Sequence, residues 1–572
     1  MVDQQRKRRI HREGKTEREG GLIHRKLCKD VRDLEVNSFT VGKEFTLNGQ
    51  IWTSIQIVVK GQGEERKQMR GKKAAINTAC SLLQELVSFI CGFILPRLIL
   101  TAFGSKYNGL FNSISQFLGC AILLRSGIGG VTRAALYKPL EEHDQKSINS
   151  IIKATDNYMK KIGLILAGLT VAFAAVYALF LRGEFEWLFT FTLVLIIGAS
   201  KFAESFFGIT YLIVLQADQR LWIQSVLYSV ALIFNTLISV ILIKAGASVH
   251  LVKLGSALVF VAYPLIMGAY VKRRYKIDLN VEPNNEAIAQ RWDAFWHQVG
   301  YFVMENTDIM VLTCFTNMLE VSVYSVYNLI ISALKKVLLS FLSGMEAAFG
   351  NMIVRKEANT LKETVSIAEN AMFSLSTIVY TCTALLICDF VSIYTQGITD
   401  VNYIRYEFAY VIIIAQFFNI IRLPYQLVVQ AAGHYKQTKA GAIIEPILNI
   451  VLSIIFVLIP RFGLTGVAIG TLAATLFRTA QYSLYMSKNV VKRSLMITPA
   501  RILVAAAEAA AVVVCVKAIH LQPPSNYWDW IINAIITGGI CLAVVLAGNT
   551  LFFTKDMKNT IKKIRNLKKR SA

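Results

Sequence analysis

Apolar runs of about 20 residues recur from residue 74 to near the end of the chain, separated by short polar segments. A helix of that length can cross a hydrocarbon core of about 30 Å. Because backbone groups in lipid must be bonded within a helix or a closed barrel, such runs predict membrane-spanning helices. We predict fourteen spans, at 75–103, 107–136, 162–181, 187–214, 221–243, 252–271, 294–316, 321–350, 369–388, 405–430, 439–459, 464–486, 500–519 and 527–553.

The loops between these spans differ in charge. Counting residues up to two positions inside each span, the loops after even-numbered spans and the C-terminal tail hold 28 Lys and Arg. The loops after odd-numbered spans hold six. Since Lys and Arg concentrate on the cytoplasmic side of membrane proteins, we expect both termini in the cytoplasm and an even number of spans.

The two halves of the chain match each other at an offset of 212–215 residues. Each repeat holds six spans, an even number, so the halves share one orientation and are related by an axis along the membrane normal, with a cleft between them. Spans 13 and 14 lie outside the repeat. The matched positions are 101–103 with 313–315, 134–135 with 347–348, 216–217 with 430–431, Asn235 with Asn449, Ser239 with Ser453, Gly255 with Gly470, and Tyr270 with Tyr485.

These features predict five regions. They are a basic extension (1–73), an N-lobe (74–278), a C-lobe (287–490), spans 13 and 14 (498–554) and a basic cytoplasmic tail (555–572). The extension has 18 Lys and Arg against 10 Asp and Glu, and we expect it to be disordered. We also expect Met69 to be the natural start, with 1–68 a translated upstream segment; the alternative is a basic arm lying on anionic lipid.

The amino-acid composition separates this chain from soluble proteins. Of 572 residues, 54% are hydrophobic and 17% charged, with a mean hydropathy of +0.47, whereas soluble proteins have about 25% charged residues. The net charge of +24 could suit a nucleic-acid-binding protein. The basic residues lie beside the spans, however, so we expect them to face the membrane surface and no nucleic acid to bind.

Ionisable side chains inside spans are costly and usually face a water-filled cavity or a partner. Arg125 in span 2 and Lys335 and Lys336 in span 8 lie deep, at nearly equivalent positions of the repeat. Facing each other across the cleft, they would attract an anionic group such as a pyrophosphate, whose oxygens arginine binds with two parallel hydrogen bonds. The candidate substrate-binding residues are Arg125, Lys335, Lys336, Arg133, Arg422 and Arg478.

For some of these charged residues a structural role is the alternative to a functional one. Arg133, Arg422 and Arg478 lie toward the cytoplasmic halves of their spans, where long basic side chains reach the interface. Acidic residues in spans are candidates for coupling transport to H⁺ or Na⁺, and Glu204, three residues after Lys201, could instead form an ion pair on one helix face. The ion-coupling candidates are Asp308, Glu305, Glu204 and Glu85.

The sequence carries no motif of an enzyme. HExxH, Walker A and GxSxG are absent, and the seven histidines are scattered. A lipid-sugar polymerase or ligase would need a large outer loop with acid and base residues, and the last two spans leave no such loop. We therefore predict no catalytic residues, no metal site and no cofactor other than a coupling ion.

Three stretches carry a family resemblance. They are "FGSKYNGLFNSISQFLGCAILLRSGIGGVTRAALYKPL" (103–140), "LQADQRLWIQSVLYSVALIFNTLIS" (215–239), and "ENTDIMVLTCF" with "VSVYSVYNLI" (305–315 and 321–330). Over residues 70–555 the chain resembles the polysaccharide transporter family, the O-antigen and lipid-linked oligosaccharide flippases of the multidrug/oligosaccharidyl-lipid/polysaccharide exporter (MOP) superfamily.

The resemblance implies a fold of two six-helix lobes around a V-shaped cavity. It also implies export of undecaprenyl-pyrophosphate-linked oligosaccharide across the bacterial cytoplasmic (inner) membrane by alternating access, for surface polysaccharide biosynthesis. Cationic cavity residues hold the pyrophosphate in such flippases, and related lipid II flippases have two extra helices that help to form a lipid groove. The implied partners are the lipid-linked oligosaccharide, membrane lipids and other polysaccharide assembly proteins.

Two other functions remain open at this point. A multidrug or cation antiporter of the same superfamily would need an acidic cavity for cationic drugs, whereas Arg125, Lys335 and Lys336 are basic. A lipid-sugar polymerase or ligase is the alternative from a different class. The sugar composition and the coupling ion leave no readable motif.

Overall fold

The structure, a computed structural model, describes residues 49–120, 128–288, 306–342, 345–554 and 556–558, with side chains from residue 73 onward except residue 347. Residues Lys73–Ala572 form one compact unit. Every regular element in the described ranges is helical. The helices are α1 (Gly49–Phe103), α2 (Ser105–Gly119), α3 (Ile128–Glu142), α4 (Gln145–Phe180), α5 (Trp187–Ala203), α6 (Ile209–Ala217), α7 (Leu221–Lys244), α8 (Val249–Arg274), α9 (Met318–Ser340), α10 (Met345–Val354), α11 (Ala358–Tyr394), α12 (Tyr406–Ile421), α13 (Leu423–Ala431), α14 (Tyr435–Val457), α15 (Gly463–Tyr485), α16 (Ile497–Ala518) and α17 (Tyr527–Phe552).

Shorter helical segments complete the set. Residues 306–315 are helical, Glu204–Gly208 and Met486–Val490 are π-turns, and Glu286–Ile288 is a 3₁₀ turn. Twelve helical stretches in the described ranges are long and apolar enough to cross a membrane, and in chain order they match twelve of the fourteen predicted spans. The multi-pass, all-helical architecture is confirmed. The other two spans, 107–136 and 294–316, include residues outside the described ranges, so the number fourteen stays a prediction.

The apolar runs produce helices with two different faces. On α4, Ile165, Leu169 and Val176 are 51%, 53% and 66% exposed, while Ala174 and Tyr177 are buried. The exposed positions recur with helical spacing, so they form one stripe along the helix. In a soluble protein such a stripe would be an exposed apolar patch; in this chain it is the surface that contacts lipid.

Helices α14 and α15 approach unusually closely because two positions lack a side chain. A Cβ added at Gly470 would lie 2.3 Å from Ser453 Oγ and 2.6 Å from its backbone nitrogen, and one at Gly466 would lie 2.5 Å from the backbone carbon of Phe456. Small residues allow helix backbones to pack directly in membrane proteins. This contact brings the polar residues of the two helices to one point, described below.

Helices α16 and α17, which lie outside the repeat, pack against α11. Trp530 Nε1 donates to the backbone carbonyl of Leu386 at 3.1 Å. Nearby, Cys382 Sγ on α11 lies 3.2 Å from Cys541 Sγ on α17. The last two spans are therefore part of the C-terminal side of the bundle.

This packing can be tested with the two thiols. We expect mild oxidation in detergent to join Cys382 to Cys541, because their sulfur atoms are already in contact. The measurement is the number of free thiols titrated after denaturation, which should fall by two and recover on reduction. In a Cys382→Ser variant Cys541 has lost its partner thiol, so the same treatment should leave Cys541 free. An unchanged thiol count in the unsubstituted protein would contradict the packing of α17 on α11.

Candidate functional site

The two halves of the bundle are tied together at one end. We call the end that carries the Lys/Arg-rich loops the basic end, and the other the opposite end. At the opposite end, Ser105 donates to Asp400 through its backbone nitrogen (2.7 Å) and through its hydroxyl (2.6 Å). Tyr403 donates to Ser105 Oγ at 2.6 Å, and Asn108 Nδ2 donates to Ser322 Oγ at 2.8 Å. Apart from Asp400, which is exposed, these residues are buried, and the bonds form a polar lock between the halves.

Close backbone packing reinforces this lock. A Cβ at Gly109 of α2 would lie 1.9 Å from the carbonyl oxygen of Met318, the first residue of α9. The hydroxyls of Ser113 and Thr313 are 2.8 Å apart. Only a glycine permits the helices to meet this closely. The halves are therefore in direct contact at the opposite end.

Farther from that end, one ion pair joins the halves among the described residues. Lys336 Nζ on α9 donates to Glu85 Oε2 on α1 at 3.1 Å, with side chains 63% and 53% exposed. Both residues are about five helical turns, or ~27 Å, from the opposite end. Lys335 beside them is half-buried. The predicted partner Arg125 and the acidic candidate Glu305 lie outside the described residues.

The acidic candidate Asp308 is the centre of a buried polar cluster. The Thr471 hydroxyl is 3.0 Å from both carboxylate oxygens of Asp308. Tyr324 Oη donates to Asp308 Oδ2 at 2.9 Å, and Asn449 Nδ2 lies 3.4 Å from Oδ1. Ser453 Oγ donates to Asn449 Oδ1 at 3.1 Å. The cluster joins residues 306–315, α9, α14 and α15, and all of its members are buried.

The Asp308 cluster surrounds one carboxylate with the hydroxyls of Thr471 and Tyr324 and the amide group of Asn449. Carboxylate, hydroxyl and amide oxygens suit a small hard cation or a proton rather than a transition metal. The described residues contain no group of three or more His, Cys, Asp or Glu that could hold a metal ion. Sequence analysis selected Asp308 but not Thr471 or Tyr324, although Asn449 and Ser453 had appeared as matched positions of the repeat.

The N-terminal half repeats this cluster without its acid. At the repeat offset, Asn235, Ser239 and Ser256 correspond to Asn449, Ser453 and Thr471, and the Ser239 and Ser256 hydroxyls are 3.4 Å apart. The positions that correspond to Asp308 are apolar residues, Leu95 and Pro96. Packing of the helix pair therefore explains the hydroxyl and amide groups in both halves, but it does not explain the carboxylate.

Two arginine candidates lie inside the C-terminal half. Arg422 contacts Glu445 through its guanidinium, and Arg478 Nε lies 3.4 Å from the other oxygen of the same carboxylate. Arg478 also donates to Tyr482 Oη at 2.7 Å. All three charged side chains are buried, so the arginines are paired rather than extended to the interface. Their role as substrate ligands stays a prediction.

The remaining candidates lie in the N-terminal half. Arg133 Nη1 is 3.3 Å from Gln216 Oε1. Lys201 Nζ lies 3.9 Å from Glu204 Oε2, so the ion pair predicted from their spacing is present. Glu204 begins the π-turn Glu204–Gly208, and π-turns inside helices are frequent at functional sites. Coupling through Glu204 stays a prediction.

The most buried ion pair among the described residues was not predicted from the sequence. Glu369 of α11 is fully buried, and Arg493 binds both of its oxygens, at 2.6 and 2.9 Å. Tyr425 donates to the same carboxylate at 2.5 Å. Arg501 of α16 bonds Asp556 at 2.5 Å and lies 3.5 Å from Glu369. In the sequence, Arg493 and Arg501 are ordinary members of a basic loop and its flank, so nothing marks them as buried.

Comparison with known proteins adds to this geometry. No family model matches the chain, and no curated protein matches its sequence. Among solved structures, lipid II flippase MurJ in an inward closed conformation superposes with a TM-score of 0.63 at 16% identity, over 84% of this chain and 99% of MurJ. Multidrug resistance MATE family transporters of the MOP superfamily also superpose, at 14% identity. The inward-facing structure has a TM-score of 0.55 and covers 73% of this chain and 98% of its own. The outward-facing structure has a TM-score of 0.52 and covers 73% of this chain and 97% of its own. At the level of the fold the predicted resemblance is confirmed: the chain has the fold shared by MurJ and the MATE transporters of the MOP superfamily.

Proposed function

We propose that this protein is a flippase that exports a lipid-linked oligosaccharide across the cytoplasmic membrane by alternating access. The observation that carries the proposal is the polar lock between the halves at the opposite end, with Lys335 and Lys336 near the basic end of α9. With the basic end in the cytoplasm, the halves meet on the outer side, and the lysines are accessible from the inner side. An anionic pyrophosphate entering from the inner leaflet would meet them first.

Two further observations support a lipid-linked substrate over a drug. The chain resembles polysaccharide transporters along residues 70–555, and the lipid II flippase superposes on a larger share of the chain than the MATE transporter does. Lys335 and Lys336 are also both basic residues of α9. A cavity that selects cationic drugs would need the opposite charge.

We also propose that the Asp308 cluster binds the coupling cation, H⁺ or Na⁺. Its carboxylate is buried, is contacted by the hydroxyls of Thr471 and Tyr324, and has no counterpart at the matched positions of the N-terminal half. A cation bound there would bridge residues 306–315, α9, α14 and α15. Binding would then favour one packing of these helices over another, which is how a bound ion can bias a two-state transporter.

The function can be tested in cells. Deleting the gene should abolish surface glycan and leave lipid-linked intermediates on the inner face of the membrane. Intact glycan together with altered drug tolerance would contradict the flippase and favour the multidrug antiporter. Intermediates that reach the outer face but stay unpolymerised would favour the polymerase or ligase.

The lysines can be tested in the same deletion strain. We expect Lys335→Ala/Lys336→Ala to reduce export at least about 10- to 100-fold, because even a single hydrogen bond to a charged group contributes about 1.5–3 kcal/mol. The measurement is flipping of labelled lipid-linked oligosaccharide in proteoliposomes. Glu85→Ala is the matched control. If Lys336 binds substrate and Glu85 only competes for it, Glu85→Ala should leave export intact. Equal losses in Glu85→Ala and Lys336→Ala would contradict substrate binding by Lys336 and would show that the pair itself is needed, either as a link between the halves or through ion coupling at Glu85.

A further inference from the structure

A second buried acid lies away from the Asp308 cluster and has no function in the transport scheme above. Glu508 of α16 is 7% exposed. It lies eleven residues from the start of the helix, which is about 16 Å, or half of the ~30 Å hydrocarbon core. Among the described residues, its Oε1 atom is buried and has no hydrogen-bond partner. A polar atom in this position is costly unless it is satisfied.

The Glu508 side chain points into a small polar cavity between α11, α16 and α17. The cavity volume is about 10 Å³, which is close to the minimum that one water molecule needs. Thr377 Oγ1, which lines the cavity, is also buried without a hydrogen-bond partner in the described part of the chain. The polar residues that line the cavity are Asn370, Ser374, Thr377, Arg501, Glu508 and Asn549.

The backbone of α17 is shaped to leave room for this carboxyl group. A Cβ added at Gly548 would lie 2.1 Å from Glu508 Oε1 and 2.9 Å from its carboxyl carbon. Any larger residue at position 548 would displace the acid. The space for Glu508 is thus set by a residue on another helix and not by Glu508 alone.

Charge balance decides what Glu508 binds. The charged residues of this group on the neighbouring elements are Glu369 on α11, Arg493 before α16, Arg501 on α16 and Asp556 after α17, and of these Arg501 lines the cavity. Arg493 and Arg501 are already matched by Glu369 and Asp556. An ionised Glu508 would add a fifth charge, without a counter-ion, in the middle of the membrane. A metal cation is disfavoured there because the guanidinium of Arg501 lines the same cavity, whereas a proton neutralises Glu508 without adding charge.

We propose that Glu508 is a proton-binding site in the membrane, separate from Asp308, whose carboxyl group is protonated and neutral at neutral pH. With the proton on one oxygen, the acid can donate a hydrogen bond to a water in the cavity, and the Thr377 hydroxyl can bond the same water. This arrangement gives a hydrogen-bond partner to Glu508 Oε1 and to Thr377 Oγ1. It also leaves the Arg493–Glu369–Arg501–Asp556 group electrically balanced. The proposal does not depend on the identity of the transported substrate.

The test is infrared spectroscopy of the full chain in lipid vesicles at neutral pH. A protonated acid has a carboxylic C=O stretching band that is absent from carboxylates. We expect wild-type protein to show such a band, Glu508→Gln to lose intensity worth one carboxyl group, and Thr377→Val to shift the band. Asp308→Asn should keep the intensity that Glu508→Gln removes. Identical spectra of wild type and Glu508→Gln in this region would overturn the proposal.

Thermal unfolding gives a second, independent measurement. Glutamine has the shape of a protonated glutamate and no charge, so Glu508→Gln should melt at the wild-type temperature in any of the alkali-metal salts. A large fall in the melting temperature of Glu508→Gln, or wild-type stability that depends on Na⁺ against K⁺ and loses this dependence in the variant, would show an ionised acid with a bound metal cation and overturn the proposal. Neither readout requires transport, so a wrong substrate assignment would not affect them.

Discussion

Glu369→Ala is expected to be the most damaging single substitution in the chain, lowering the free energy of unfolding by about 3–5 kcal/mol. Removing this carboxylate leaves Arg493 without the partner that binds it at 2.6 and 2.9 Å, in a site where both side chains are almost fully buried. An unpaired buried charge keeps its desolvation cost and loses the attraction that offset it. Thermal unfolding in detergent micelles measures the effect.

An exposed ion pair is the matched control, because it carries the same charges without the burial. Glu142 pairs with Lys138 at 3.8 Å on α3, but the side chains are 57% and 82% exposed. Exposed pairs contribute about 0–1 kcal/mol, so Glu142→Ala should melt close to wild type. A combined Glu369→Leu/Arg493→Met variant should recover part of the loss, because it removes both charges together. Similar melting of Glu369→Ala and Glu142→Ala would contradict the buried pair.

Asp308→Asn is expected to have the largest effect on transport. Asparagine has nearly the same shape and still accepts hydrogen bonds from Thr471 and Tyr324, but it carries no charge to hold a cation or a proton. We expect transport driven by an ion gradient to fall about 5- to 150-fold, the range that corresponds to a coupling free energy of about 1–3 kcal/mol. Flipping in proteoliposomes with imposed H⁺ and Na⁺ gradients measures the loss and identifies the ion.

The internal repeat supplies the control for this prediction. Thr471→Val removes a hydroxyl that contacts Asp308, whereas Ser256→Ala removes the corresponding hydroxyl of the N-terminal half, which has no acid beside it. Only the first should weaken ion-driven transport. Gradient-dependent transport that survives in Asp308→Asn, or that both hydroxyl variants reduce equally, would mean that the cluster is structural in both halves.

Much of the fold could be predicted from the sequence because it depends on local properties. In lipid a helix is required wherever an apolar run is long enough, so the run itself specifies the span; twelve of the fourteen predicted spans were found in order. The contact between Lys201 and Glu204 was also predictable, since residues three apart share a helix face. The MOP-superfamily fold followed from the spans and the residues that carry the family resemblance.

The charges inside the spans depended on tertiary structure. From the sequence, Arg422 and Arg478 were candidates either for binding the substrate or for reaching the interface, yet they pack against Glu445. The buried polar contacts described above join residues that are far apart in the chain. Asp308 and Thr471 are 163 positions apart, and Glu369 and Arg493 are 124 positions apart.

The sequence by itself therefore determined the membrane spans and the basic character of alternate loops, since each is a property of a continuous segment. Only the packing of helices decided which charges are paired in the interior, as in Glu369 with Arg493, and which pairs are exposed, as in Lys336 with Glu85. The physical reason is that a hydrophobic run acts on lipid independently of its neighbours, whereas a buried charge is stable only beside its partner.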